Sequence, residues 1–493
     1  MARRYVAIHP IVMALLLAVS IFLPHVTAWA DAADDHAQPG RGTGSGALQT
    51  SIPETVAIRG SLLDFSRVSN SAPEREANLR FIEDGLLVVD AGKIAWSGPW
   101  TEGFALLEKY RKDASSEPVP VVDRRGFIVT PGFVDAHIHF PQREMIGAYG
   151  EQLLTWLNRY TFPTEQKYAD KAYAEAMARE FIHELLRSGT TTAMVFAAVY
   201  PQSVDALFEA ALAENMRLIA GKVMMDRNAP DALLDTARAS HDDSASLIAR
   251  WHGKGRLLYS ITPRFAPSST PEQLAIAGRL LAEHPGVYLQ THLSENTSEV
   301  AWVKELFPDR DGYFDVYAHY GLAGPKSIFA HSIHLDDTER SRLAATNSVI
   351  AFCPSSNLFL GSGLFEFRKA ETAGIRMGLG TDVGAGTSFC QLQTLGDAYK
   401  VMQLQGQSLS AAEAFYLATL GGAHALSLDA VIGNFDKGKE ADFVVLDTRA
   451  TPLAALRTGL SATLAEKLFA LVTIGDDRAV AETWVAGKPV HSR

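Results

Sequence analysis

Cysteine is almost missing from this chain, with two residues in 493, Cys353 and Cys390, both inside segments patterned like barrel rather than surface. So few thiols exclude a disulfide framework or a cysteine-rich metal module as the source of stability, and they say nothing about the compartment. Positive charge is also in deficit. Lysine and arginine number 45 against 56 acidic residues, for a net charge of -11, which argues against nucleic acid or an anionic membrane as partner, because both reward a basic surface. The apolar run at the head of the chain, from about Ile11 to Leu23, falls short of the ~20 residues of a spanning helix, so no stable membrane anchor is expected.

That leading run does carry an export pattern. Arg3 and Arg4 precede it, and Ala28-Trp29-Ala30 supplies the small-x-small sequence of a cleavage site. Residues 1–30 therefore read as a signal peptide, and the mature protein is expected in a bacterial periplasm; the alternative is a cytoplasmic protein with a misassigned start codon. Residues 31–51, rich in Gly, Ala, Asp and Gln, read as a flexible leader.

The remainder is too long for one ordinary core unless it closes a large barrel and carries a satellite. A composition of 47% hydrophobic and 20% charged residues is that of a soluble globular protein. Between residues 52 and 130, "TVAIRGSLLDF" and "GLLVVDAGKIAWSG" alternate apolar and polar residues around turn-forming residues, and "ADFVVLD" and "AETWVAGKPV" repeat the style within 431–493. One small β-sandwich domain built from both chain ends is expected. Residues 131–430 alternate helical stretches such as "AEAMAREFIHELLRSG" with eight short apolar runs, from "FVDAHIH" through "RMGLGTD". This α/β pattern predicts a (β/α)₈ TIM barrel, whose chemistry collects at the C-terminal ends of the strands. His137 and His139 end the first run, Arg264 the fourth, His292 the fifth, His331 the sixth and Asp382 the eighth.

Residues i and i+2 of a strand share a face, so His137 and His139 can offer two imidazoles to one ion inside the barrel. Three N/O ligands plus water form the catalytic arrangement of zinc, and His292 and Asp382 would complete it. Iron or manganese occupies similar sites. His334 and His424 lack such support and read as structural. Asp336-Asp337 reads as a solvated helix start.

The motifs "PGFVDAHIHFPQ", "TPRFAPS", "THLSEN", "CPSSNLFLGSG" and "GLGTDVGAG" resemble the amidohydrolase superfamily and, within it, the guanine deaminases; the likeness runs from about Thr55 to Val490. The resemblance implies zinc-dependent hydrolytic deamination of guanine to xanthine and ammonia, as in purine catabolism. It implies His137, His139, His292 and Asp382 as metal ligands, and Glu295, His331 and Asp382 as catalytic groups. Gln142, Arg264 and Phe265 would hold the purine, together with His292, Glu295 and Asp382. In that chemistry water adds at C2, Asp382 accepts the water proton, and Glu295 protonates ring N3 and then the departing amino group. Binuclear relatives place a lysine at the end of strand four, which "LLYSITPRF" lacks, so one Zn²⁺ per chain is expected. Relatives also suggest a homodimer. Ser332 departs from the pattern, because many relatives have glycine directly after the strand-six histidine. An amidohydrolase acting on another aminated heterocycle, such as 8-oxoguanine, is the alternative. A metal-binding barrel without activity is disfavoured, because every ligand and the acid are present.

Overall fold

The computed structural model describes residues 54–110 and 118–493; the segments expected as signal peptide and leader lie outside the described residues. Strands β1 (Thr55–Phe65), β2 (Leu79–Asp90), β3 (Lys93–Pro99) and β4 (Val121–Pro131) come first. The middle contributes β5 (Phe133–His139), β6 (Thr190–Phe196), β7 (Arg217–Gly221), the short β8 (Val223–Met224), β9 (Leu257–Pro263), β10 (Tyr288–Leu293), β11 (Ser327–His331), β12 (Val349–Phe352) and β13 (Arg376–Leu379). Last come β14 (Phe443–Leu446), β15 (Val480–Val485) and β16 (Lys488–Ser492).

The two chain ends build one sheet in the order β16-β15-β14-β4-β1-β2-β3. Its pairs are antiparallel except for parallel β1 and β4. The small β domain expected from both chain ends is thus built on a mixed seven-stranded sheet, with Phe443 stacked on Trp484 in one of its apolar clusters.

The eight apolar runs of the middle all form parallel strands, ordered β5-β6-β7-β9-β10-β11-β12-β13, with β8 on the side of β9. Every residue of β5 and of β6 is buried, as expected for parallel strands covered on both faces. Helices wrap them by burying one stripe. In Lys171–Arg187 that stripe is Ala174, Ala178, Phe181, Ile182 and Leu185, and Asp170 caps the helix start by accepting from the Ala172 and Tyr173 amides. Inside the barrel, Met194, Ile219, Tyr288, Ile328, Val349 and Ala351 fill the space as one apolar cluster.

The first and eighth strands meet through the segment that carries the expected ligands. The Asp382 N–H donates to the His137 carbonyl at 2.9 Å, and the His139 N–H donates to the Val383 carbonyl at 3.0 Å. Gly380 permits this approach, because a Cβ there would lie 2.9 Å from both the His137 Cβ and the Cys353 sulfur. Just past their strands the backbone turns sharply, with positive φ at Ser294 (49°), His331 (68°), Ser332 (54°) and Asp382 (52°). Ser332 thus occupies a conformation that suits glycine, and its amide is held by the Leu293 carbonyl at 2.8 Å. Both cysteines are buried, and burial pushes the Cys390 thiol up to about 12.

Candidate active site

Strand β5 sends His137 and His139 to one side, with their rings 4.9 Å apart and perpendicular. Asp135, two residues earlier, ties β5 to the end of β13. Its carboxylate accepts from the His137 and Thr381 amides, each at 3.1 Å, and from the Thr381 hydroxyl. Asp382 is thereby set against both histidines, with Oδ1 3.2 Å from each Nε2. From β10, His292 brings its Nε2 to 3.2 Å from that of His139. From β11, His331 brings Nε2 to 3.7 Å from Asp382 and 3.5 Å from Glu295. In-register pairing of β10 with β11 sets Leu293 opposite His331, so the two strand ends are level.

Two overlapping groups, His137–His139–His292 and His137–His331–Asp382, each place their ligand atoms within 4.8 Å of one another, and all five residues are buried. The ring nitrogens suit a cation. Burial lowers His139 to about 3 and His292 well below the usual imidazole range, keeping both rings neutral. The His292 Nδ1–H donates to the Arg264 carbonyl at 2.6 Å, which leaves Nε2 as a lone pair. The buried His137 Nε2 makes no well-formed hydrogen bond among the described residues, with Asp382 Oδ1 as its neighbour at 3.2 Å. Ring nitrogens that face one another beside a carboxylate fit a divalent ion.

Glu295 stands over this cluster and accepts from the Ser362 hydroxyl at 3.3 Å. Burial, then the neighbouring Asp382 charge, raises its carboxyl to about 8, so it carries a proton at neutral pH. Burial alone would raise Asp382 too, but the imidazoles of His137, His139 and His331 hold it well below the carboxylate range. One acid is thus protonated and its neighbour ionised, a division that suits proton transfer.

The pocket above is lined by His139, Gln142, Arg264, Phe265, His292, Glu295, His331 and Asp382. His137 lies beneath it. Gln142 follows β5 on a 3-10 turn, and Arg264 and Phe265 directly follow β9. The segment between β5 and the helix Lys171–Arg187 covers one side with Leu153, Trp156, Leu157 and Thr161, and Leu360 adds to the wall. His334 and His424 line no part of this pocket; they contact the Ser362 carbonyl and Asp429. Asp336 caps its helix, and Asp337 is exposed.

Three buried residues at this site were not singled out from the sequence. Asp135 is one. Asn357 accepts the His331 Nδ1–H at 2.9 Å. Glu165 accepts from both Arg264 and Gln142. Asp135 and Asn357 sit inside quoted motifs, but no spacing connects any of the three to its partner.

The amidohydrolase family model matches residues 128–490. Guanine deaminase of Escherichia coli (strain K12) is 58% identical over 437 residues, which cover 89% of this chain and 98% of the relative. The solved structure of E. coli guanine deaminase has a TM-score of 0.85 at 56% identity, covering 89% of this chain and 99% of that one. A guanine deaminase from C. acetobutylicum, solved with guanine bound in its active site, has a TM-score of 0.78 at 31% identity, covering 89% and 100%.

This alignment corrects the expected export to the periplasm. With 98% of the E. coli enzyme matched inside 89% of this chain, that relative has no counterpart of a leader as long as the one read here, so a periplasmic location is not carried forward. The ligand-rich strand ends and a family match across most of the sequence agree: the chain belongs to the amidohydrolase family.

Proposed function

We infer that this chain hydrolyses guanine to xanthine and ammonia. One observation carries the reading: the ion-binding cluster, a protonated acid and the Gln142–Arg264–Phe265 wall share a single pocket. Enzymes named guanine deaminase match this chain over nearly their whole length, and one of them holds guanine in its active site.

In this reading His137, His139, His292 and Asp382 hold one divalent ion, for which neutral imidazoles plus one carboxylate favour zinc over iron or manganese. Bound there, zinc lowers the pKa of water from 15.7 to roughly 7. Asp382, kept ionised, takes the proton released as water adds to C2 of the ring. Glu295, protonated at neutral pH, donates to N3 and afterwards passes a proton to the leaving amino group. His331 has committed its Nδ1–H to Asn357, so its Nε2 is turned toward Glu295 and Asp382. Arg264 has Nε and Nη2 to offer O6 and N7, and Phe265, Trp156 and Leu157 supply apolar walls for a planar ring.

The test is turnover by the metal-loaded protein, with xanthine followed by absorbance and ammonia by a coupled assay, and with 8-oxoguanine, adenine and cytosine in parallel. Guanine is expected to be the preferred substrate. Glu295→Gln is expected to lower kcat by about 10²–10⁴-fold with the ion retained. A metal-loaded protein that leaves guanine untouched would overturn the reading.

A further inference from the structure

Glu165 is 1% exposed, lies outside the ion cluster, and touches two of the three residues assigned to the purine. It ends the short helix Phe162–Glu165, which follows a π-helical turn over Leu157–Thr161 in the segment covering the pocket. Its carboxylate receives the Arg264 guanidinium, with Nη1 at 2.9 and 2.8 Å from the two oxygens, and the Gln142 amide, with Nε2 at 3.1 Å. The ring of Phe162, three residues earlier, lies 5.7 Å from the Arg264 Cζ. One short segment therefore supplies both the counterion and an aromatic face to a buried cation.

Two consequences follow from these contacts. The Gln142 Nε2 turns to Glu165 while Oε1 accepts the Gly384 N–H at 3.3 Å, so the amide has one orientation. Arg264 is 3% exposed and paired one to one with a carboxylate, so the purine wall presents donors without a net charge. Among the described residues its Nε and Nη2 have no protein partner and remain for the ligand.

We propose that Glu165 is a specificity-determining residue: by neutralising Arg264 and orienting Gln142, it makes the pocket select an uncharged 6-oxopurine over an anionic heterocycle. The proposal rests on the guanine reading for the position of the ring. Without the carboxylate, Arg264 would keep a buried, uncompensated charge, which an anionic ring could satisfy better than a neutral one.

The experiment measures binding of hypoxanthine, a neutral 6-oxopurine with no amino group to lose, and of urate, an anion, to the metal-loaded wild type and to Glu165→Gln by calorimetry. Guanine turnover of the wild type is recorded beside it. The ratio of hypoxanthine to urate affinity is expected to fall by about tenfold or more in Glu165→Gln, because a charge is removed from a desolvated pair. An unchanged ratio overturns the proposal, whereas absent guanine turnover in the wild type overturns only the deaminase reading. If Glu165→Gln does not fold, Glu165→Gln/Arg264→Gln removes both charges. The double variant should fold, bind its ion and match the affinity ratio of Arg264→Gln alone. A double variant that also fails to fold, or a further change in the ratio, overturns the proposal.

Discussion

Asn357 decides which nitrogen of His331 faces Glu295 and Asp382. Its Oδ1 takes the Nδ1–H at 2.9 Å, and it is 1% exposed. The other ring nitrogen, Nε2, is thereby turned toward Glu295 and Asp382. Asn357→Ala releases the ring to either tautomer and is expected to lower kcat by about 10–100-fold, the usual effect of losing such a partner. Metal analysis should find the ion retained. Asn357→Asp keeps an acceptor and should recover part of the loss; equal losses in the two variants would remove the tautomer argument.

At the scale of one element, the helix Thr297–Leu306 is tied to Glu295 through its own cap. The Asn296 side chain accepts the Ser298 amide at 2.9 Å, and Glu299 reaches back to the amides of Asn296 at 3.1 Å and Glu295 at 2.9 Å. The Tyr313 hydroxyl donates to the same carboxylate at 2.6 Å. Burial, and secondarily the nearby Glu295, raises the Glu299 carboxyl from 4.5 to about 7. Between those values the folded protein holds a proton that the unfolded chain has released, so stability from this group falls as pH rises and levels off above about 7. The loss is on the order of 3 kcal/mol. Glu299→Gln cannot ionise, so chemical denaturation should show it gaining on the wild type between about pH 5 and pH 8. Parallel stability curves for the two proteins would contradict this account.

At the scale of the whole molecule, the barrel and the seven-stranded sheet are joined by a cluster of charges at the barrel end opposite the site. Arg217 opens β7 and Arg256 precedes β9; both close on Glu440, at 2.6 Å each, and Arg256 also pairs with Asp442 just before β14. Asp442 in turn accepts the Gly132 amide through its carbonyl at 3.0 Å and the Ala486 amide through its carboxylate at 2.8 Å. Conservation of activity depends on the other end of the barrel. Glu440→Ala leaves two largely buried guanidinium groups short of a partner and should cost about 3 kcal/mol of stability, measured by urea denaturation, with KM for guanine unchanged in the folded protein. A raised KM without loss of stability would show that this cluster reaches the pocket.

The sequence by itself determined the eight barrel strands, the helices between them, and the histidines and aspartate at the strand ends, because period, turn residues and strand-end position are local properties. It also determined that His137 and His139 face one way, since that follows from the pleat alone. Tertiary structure decided the rest. The two chain ends join in one mixed sheet through the pairing of β14 with β4, which no local pattern specifies. Glu165 lies 23 residues from Gln142 and 99 from Arg264, and no local pattern pairs it with either. Asn357 lies 26 residues beyond His331, and Asp135 is 246 before Thr381. These residues act by burying a charge or an amide against one partner, and only closure of the barrel brings those partners within hydrogen-bond reach.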